Sequence, residues 1–251
     1  TRRRTRLELG RPMNPPLSPS PFLIVSDFDD TLKISHTTNR FRTVLRGLFM
    51  KQAYAGMSEL FQEWSAGRPF FVLSSSPKMI EGKISRFLDR HGFPKREIRL
   101  RDWLKEKDIR RYKVESLRRL EERDENGFVF VGDDAEYDPE VFAEFRKRNS
   151  DRTLAIYIRR MRGRPLPDGI VPFHSALEIA LSELSAGRLK IPQVSRIGKA
   201  IVDSADSDHI VPYFASAPSD IEIPESFPTL ERIIDHANLR YAAIRKDRKS
   251  R

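Results

Sequence analysis

The chain has 251 residues, 33% of them charged and 39% hydrophobic, which is enough for one sizeable core and excludes a chain too polar to fold. It has no cysteine, which excludes disulfides and thiolate metal sites, and no apolar run approaching the ~18 residues of a helical membrane span. The formal net charge of +10 favours an anionic partner: a phosphorylated substrate, a nucleic acid or acidic lipid.

Residues 1–20 are basic and Pro/Ser-rich, have no apolar core, and are expected to form a mostly disordered arm. Phe22 to Val25 is a short β-branched and aromatic run after Pro21, and reads as a buried parallel strand. It ends in Asp27, Asp29, Asp30 and Thr31. Two amphipathic stretches follow, 39–51 and 53–65, the second placing Met57, Leu60, Phe61 and Trp64 at helical spacing before Gly67. These stripes suit core or a small helical cover.

Pro69 to Leu73 is a second strand, ending in Ser74, Ser75 and Ser76. A helix from Pro77 to about Arg90 comes next, then a strand within REIRLRDW at 96–103 and a charged helix over 111–123. Phe128 to Val131 is a fourth strand, closed by Gly132 and followed by Asp133, Asp134, Glu136 and Asp138. Pro139 fits a first helical position, with Asp138 as its N-cap. Leu154 to Ile158 is a fifth strand, followed by Arg159, Arg160, Arg162 and Arg164. A helix spans 174–187, residues 188–227 yield no clear elements, and a basic helix ends the chain.

Strands alternating with helices predict an α/β fold: a doubly wound, mostly parallel five-stranded sheet with helices on both faces. We expect a catalytic domain over 21–187 and a C-terminal extension over 188–251, its terminal helix packed on the same domain. Ligands in such sheets bind beyond the carboxyl ends of strands, where Asp27 and Asp29 fall. In extended backbone, positions i and i+2 point to one side, so these carboxylates can share a site. Like charges that close are costly unless a cation or proton lies among them.

The run SDFDDTLK resembles the first motif of the haloacid dehalogenase superfamily. More narrowly, with LSSSP, LRD at 100–102, GDDAEYDPEVF and IYIR at 156–159, the chain resembles the actin-patch phosphatidate phosphatase catalytic-domain family, which has many bacterial relatives. The segment ISHTTNR lacks that family's glycine-containing pattern, and no aromatic follows Pro77; these departures weaken the transfer of lipid specificity and leave the implied chemistry intact. The resemblance implies a Rossmann-like fold with a minimal cap and a Mg²⁺-dependent phosphatase working through an aspartyl-phosphate. It makes Asp27 the nucleophile and Asp29 the acid and base. Ser74 would hydrogen-bond the phosphoryl group, and Lys113 would pair with Asp27. The metal set would be Asp27, the Asp29 carbonyl and Asp133, with Asp134 or Asp138 behind it; Thr31, Lys33, Ser75 and Arg159 would meet substrate.

The implied substrate is phosphatidate, with a protein or nucleic-acid phosphate as alternative, and a non-catalytic anion-binding domain as a reading of another class. The short insertions predict an open site acting on a phosphate carried by something large. The Arg159–Arg164 loop is expected to attract an anionic membrane surface. Nucleic acid has only charge in its favour. The expected location is cytoplasmic, peripheral to the membrane.

Overall fold

A computed structural model describes residues 21–35, 52–65, 70–222 and 227–250. The expected arm (1–20) and the stretch 39–51 lie outside the described residues. Six parallel strands form one sheet: β1 (Phe22–Ser26), β2 (Phe70–Pro77), β3 (Arg96–Arg101), β4 (Gly127–Asp133), β5 (Thr153–Arg159) and β6 (Val171–Phe173), in the order β3-β2-β1-β4-β5-β6. The sheet therefore has six strands, not five. The sixth is three residues long with Pro172 at its centre, which an edge strand tolerates because one side needs no ladder donor.

Alternation along the strands sorts side chains onto two faces. Val25, Phe71, Leu73, Phe128, Phe130, Ile156 and Ile158 face one way. They pack against α3 (Ile109–Arg123) and α4 (Asp138–Arg148) through Leu117, Leu120, Phe142 and Phe145. Ile24, Val72, Val129, Val131 and Tyr157 face the other way. That side holds the larger core, built with α1 (Met57–Ser65), α2 (Glu81–Arg90), α5 (Ala176–Ser185), α6 (Ile191–Val202) and α7 (Glu231–Ser250). Met57, Leu60, Phe61 and Trp64 are all buried, so the stripe in α1 is core.

The segment without predicted elements contains a helix. Residues 191–202 form α6, with Val194, Ile197 and Ile201 inward. Gly198 lets α7 approach: a methyl group there would sit 2.9 Å from Ile233. In α7, Ile234, Ala237, Tyr241 and Ile244 join the same core. The Tyr241 hydroxyl donates to Ser175 Oγ at 2.7 Å and lies 2.9 Å from Glu178. No helix among the described residues is long and apolar enough to cross a membrane.

Candidate active site

All strands run parallel, so the residues after β1, β2, β4 and β5 emerge at one edge. Asp27 follows β1, and its backbone N–H donates to Val131 O of β4 at 2.9 Å. The chain then turns tightly. Leu32 and Lys33 both donate to Phe28 O, and Asp30 adopts φ +55°, a left-handed conformation that aspartate tolerates better than most residues. Asp30 Oδ1 accepts from Ser35 N at 2.9 Å and holds the turn closed.

Three carboxylates converge here. Asp27, Asp133 and Asp138 each bring an oxygen within 4.8 Å of the others, and all three are buried. Lys113, in the first turns of α3, is 1% exposed; its ammonium donates to Asp27 Oδ1 at 2.8 Å and also to Asp138 Oδ1. The helix is started by Asp108, whose side chain accepts from Arg111 N at 3.0 Å. Asp133 is fixed from two sides: Oδ1 accepts from Ala135 N at 2.7 Å and Oδ2 from the Thr31 hydroxyl at 3.3 Å.

Asp138 is not the N-cap expected from its sequence. It lies inside the first turn of α4 with Pro139 beside it, and its carboxylate turns back over the strand end to Lys113 and the Asp133 amide. Gly132 makes that possible. A methyl group at Gly132 would lie 2.6 Å from Asp138 Oδ2 and 2.7 Å from its Cβ.

The charges do not balance: three buried acids face one lysine. Burial raises Asp27 well above the usual aspartate value; Lys113 opposes this, while Asp138 and Asp133 add to it. Burial, then Asp138 and Asp30, push Asp133 up as well. Asp138 is raised by burial against the pull of Lys113. Burial alone would lower Lys113, but Asp138 and Asp27 outweigh it and hold the ammonium well above the ordinary lysine range. Hard oxygen donors at this spacing, short of positive charge, fit a metal cation.

Asp29 stands apart from the three. Ser35 Oγ donates to its Oδ1 at 2.6 Å and Ser76 Oγ to its Oδ2 at 2.8 Å, with the Lys33 ammonium 3.6 Å away. Its side chain is 31% exposed, against 7% for Asp27, so the site opens on the Asp29 side. Ser74 is the last residue of β2 before its bulge, and its Oγ accepts from Ser76 N at 3.1 Å. The Ser75 hydroxyl donates to Glu136 at 3.1 Å, tying the end of β2 to the β4 loop. Thr31 and Lys33 are buried around Asp133 and Asp29.

Two expected site residues are used elsewhere. Asp134 is fully buried, and its carboxylate accepts from Met161 N, Arg162 N and Gly163 N at 2.7, 2.6 and 2.9 Å. Arg160 adds an ion pair at 3.1 Å. Asp134 thus shapes the turn after β5, and Asp138 is the residue that joins Asp133. Arg159 is 1% exposed and meets no solvent. Its guanidinium lies 3.6 Å from the centre of the Tyr54 ring and 4.6 Å from that of Phe173, and donates to His174 O and Thr31 O. In the Arg159–Arg164 loop, Arg164 pairs with Glu140, and of the four arginines only Arg162 is exposed.

Sequence reasoning gave Ser35, Glu136 and Tyr54 no role at the site. Ser35 lies two residues past Lys33 in the same turn, and Glu136 lies inside GDDAEYDPE, so both stood within informative runs. Nothing in the sequence marks Tyr54 as the platform beneath Arg159.

A family model described as phosphatidate phosphatase APP1, catalytic domain, matches residues 22–160, more than half of the chain. That span runs from the start of β1 through the end of β5 and contains every residue of the acidic cluster and Lys113. Neither the curated proteins nor the solved structures contain a match to the chain.

Proposed function

Because the chain belongs to the phosphatidate phosphatase APP1 catalytic-domain family, we propose that it is a Mg²⁺-dependent phosphatase that converts phosphatidate to diacylglycerol through an aspartyl-phosphate at Asp27. The observation that carries this reading is the convergence of Asp27, Asp133, Asp138 and Lys113 at one strand edge, with a second acid, Asp29, held separately beside the opening.

Asp27, Asp133 and Asp138, with the Asp29 carbonyl implied by the family motif, would hold the Mg²⁺, which when bound offsets the negative charge of the phosphoryl oxygens. Lys113 fixes one Asp27 oxygen and leaves the carboxylate oriented for attack on phosphorus. As the new Asp27–phosphorus bond forms, the bond to the ester oxygen breaks. Asp29, steadied by Ser35 and Ser76, gives its proton to that oxygen and releases the alcohol. Asp29 then takes a proton from water as the water oxygen attacks phosphorus, which frees inorganic phosphate and restores Asp27. Ser74, on the neighbouring strand, supports the phosphoryl group.

An acyl-phosphate at Asp27 is reducible by borohydride, which converts the aspartate to homoserine. Quenching turnover with borohydride and mapping peptides by mass spectrometry should place homoserine at position 27 and nowhere else. Release of phosphate with no reduced Asp27 would argue for direct attack by water.

A further inference from the structure

Among the described residues, five large apolar side chains are exposed: Met79, Leu104, Tyr137, Tyr213 and Leu239. Met79 is 89% exposed, Leu104 90% and Tyr137 41%. These three stand in the loops leaving β2, β3 and β4, the strands on either side of β1 and beyond. All three therefore lie at the edge of the sheet that carries Asp27.

The loops are braced to one another. The Ser75 hydroxyl donates to Glu136, joining the end of β2 to the β4 loop, and Trp103 Nε1 donates to Ser75 O at 3.0 Å, joining the β3 loop to the end of β2. Lys78 lies 3.9 Å from Asp102. Leu104 sits at the tip of a closed turn. Its own N–H donates to Asp102 Oδ1 at 3.2 Å, and Lys105 N and Glu106 N donate to Asp102 O at 3.1 and 2.7 Å. Its exposure is thus set by the backbone.

Charge is sorted in the same loops. Asp102 and Glu106 are half-buried and accept from backbone amides, whereas Lys78, Lys105 and Lys107 are exposed and outnumber the one exposed acid of the β3 loop, Asp108, which caps α3. Met79 and Leu104, each beside exposed lysines, suit the boundary between lipid headgroups and acyl chains, and Tyr137 adds a third apolar tip at the same edge. A peptide partner would call for a continuous groove or an open strand edge. The three tips are instead separate points around a site mouth.

We propose that Met79, Leu104 and Tyr137, with Lys78, Lys105 and Lys107, form a docking rim that seats the strand-end edge on an anionic lipid bilayer. The inference rests on the phosphatase reading of the site. It gives a lipid-borne phosphate a route to the deeply set Asp27 without the lipid leaving its leaflet.

The test uses the full chain with Met79→Ser and Leu104→Ser together. Co-sedimentation with vesicles of phosphatidylcholine and phosphatidylserine, neither a phosphate monoester, measures docking, and hydrolysis of a soluble aryl phosphate measures chemistry. We expect wild type to bind these vesicles, the double variant to lose about tenfold or more of that binding, and aryl-phosphate turnover to stay within about twofold. Equal vesicle binding by the two proteins, or none by wild type, overturns the rim while leaving the phosphatase reading intact. A wild-type dimer that the double variant dissolves, without vesicle binding, reassigns the face to self-association. A wild type without aryl-phosphate hydrolysis refutes the phosphatase reading, and the purpose of the rim with it.

Discussion

Gly132→Ala adds one methyl group in the tightest part of the site. That methyl would stand 2.6 Å from Asp138 Oδ2, 2.7 Å from its Cβ and 2.9 Å from its Cγ, all inside contact distance. The Cβ belongs to the root of the side chain, so a rotamer change cannot relieve the clash. Either β4 or the start of α4 must move, by roughly 0.5–1 Å to restore ordinary contact distances. Overpacking of this kind costs about 1–3 kcal/mol, and a protein of this size loses roughly 2–4 °C of Tm per kcal/mol. The effect on catalysis should be larger than the effect on stability. Asp138 is bound to Lys113 and to the Asp133 amide, so its displacement disturbs the lysine that holds Asp27 and the acid that would bind metal. A displacement approaching 1 Å costs about 100-fold in rate. Phosphate release at saturating Mg²⁺, measured beside a thermal melt, should show a folded protein with kcat reduced by about two orders of magnitude. A Gly132→Ala enzyme within about threefold of wild type would refute the claim that this glycine exists to admit Asp138.

Replacing Lys113 with Met leaves Asp27 and Asp138 buried without their counter-charge, and should cost about 3–5 kcal/mol in a denaturant titration, partly recovered at acid pH; an unchanged midpoint would count against the buried pair. Asp27, Asp133 and Asp138 all have folded pKa values raised above 3.8, so the folded protein keeps protons the unfolded chain has already released. Metal-free stability should therefore fall as pH rises from the ordinary aspartate range through those raised values. Saturating Mg²⁺ should flatten that slope, and parallel melting curves in EDTA and Mg²⁺ would contradict a metal at this cluster. Arg159→Ala strips partners from Thr31 O and His174 O and empties the space between Tyr54 and Phe173, so a loss of about 2–4 kcal/mol is expected, while exposed Arg162→Ala should change neither stability nor rate. Equal effects of the two in chemical denaturation would undo that distinction.

The strands were legible where apolar runs are buried on both faces. Phe22 to Val25 and Phe128 to Val131 read as strands, and they lie within β1 and β4, where the neighbouring strands and the helices above and below cover both faces. Val171–Phe173 was not legible, since three residues around a proline carry no period. The helix expected from Pro77 starts at Glu81, because β2 bulges through Ser74–Pro77 and a 3₁₀ turn follows. Helix α6 escaped notice because Pro192 and Gly198 look like breakers; the first sits in the opening turn and the second admits Ile233. At the site, the acids could be read from motif order, but not the direction of a side chain at a strand end. Arg159 follows Tyr157 by two residues and so faces the larger core. Asp134 and Asp133 are adjacent, and backbone geometry alone sends one to the cluster and the other to the turn after β5.

The most direct measurement is phosphate release from phosphatidate in mixed micelles, by wild type and Asp27→Asn, each with Mg²⁺ and with EDTA. The account predicts release by wild type that requires Mg²⁺ and disappears in Asp27→Asn. Release that persists in Asp27→Asn, or that ignores EDTA, would contradict it.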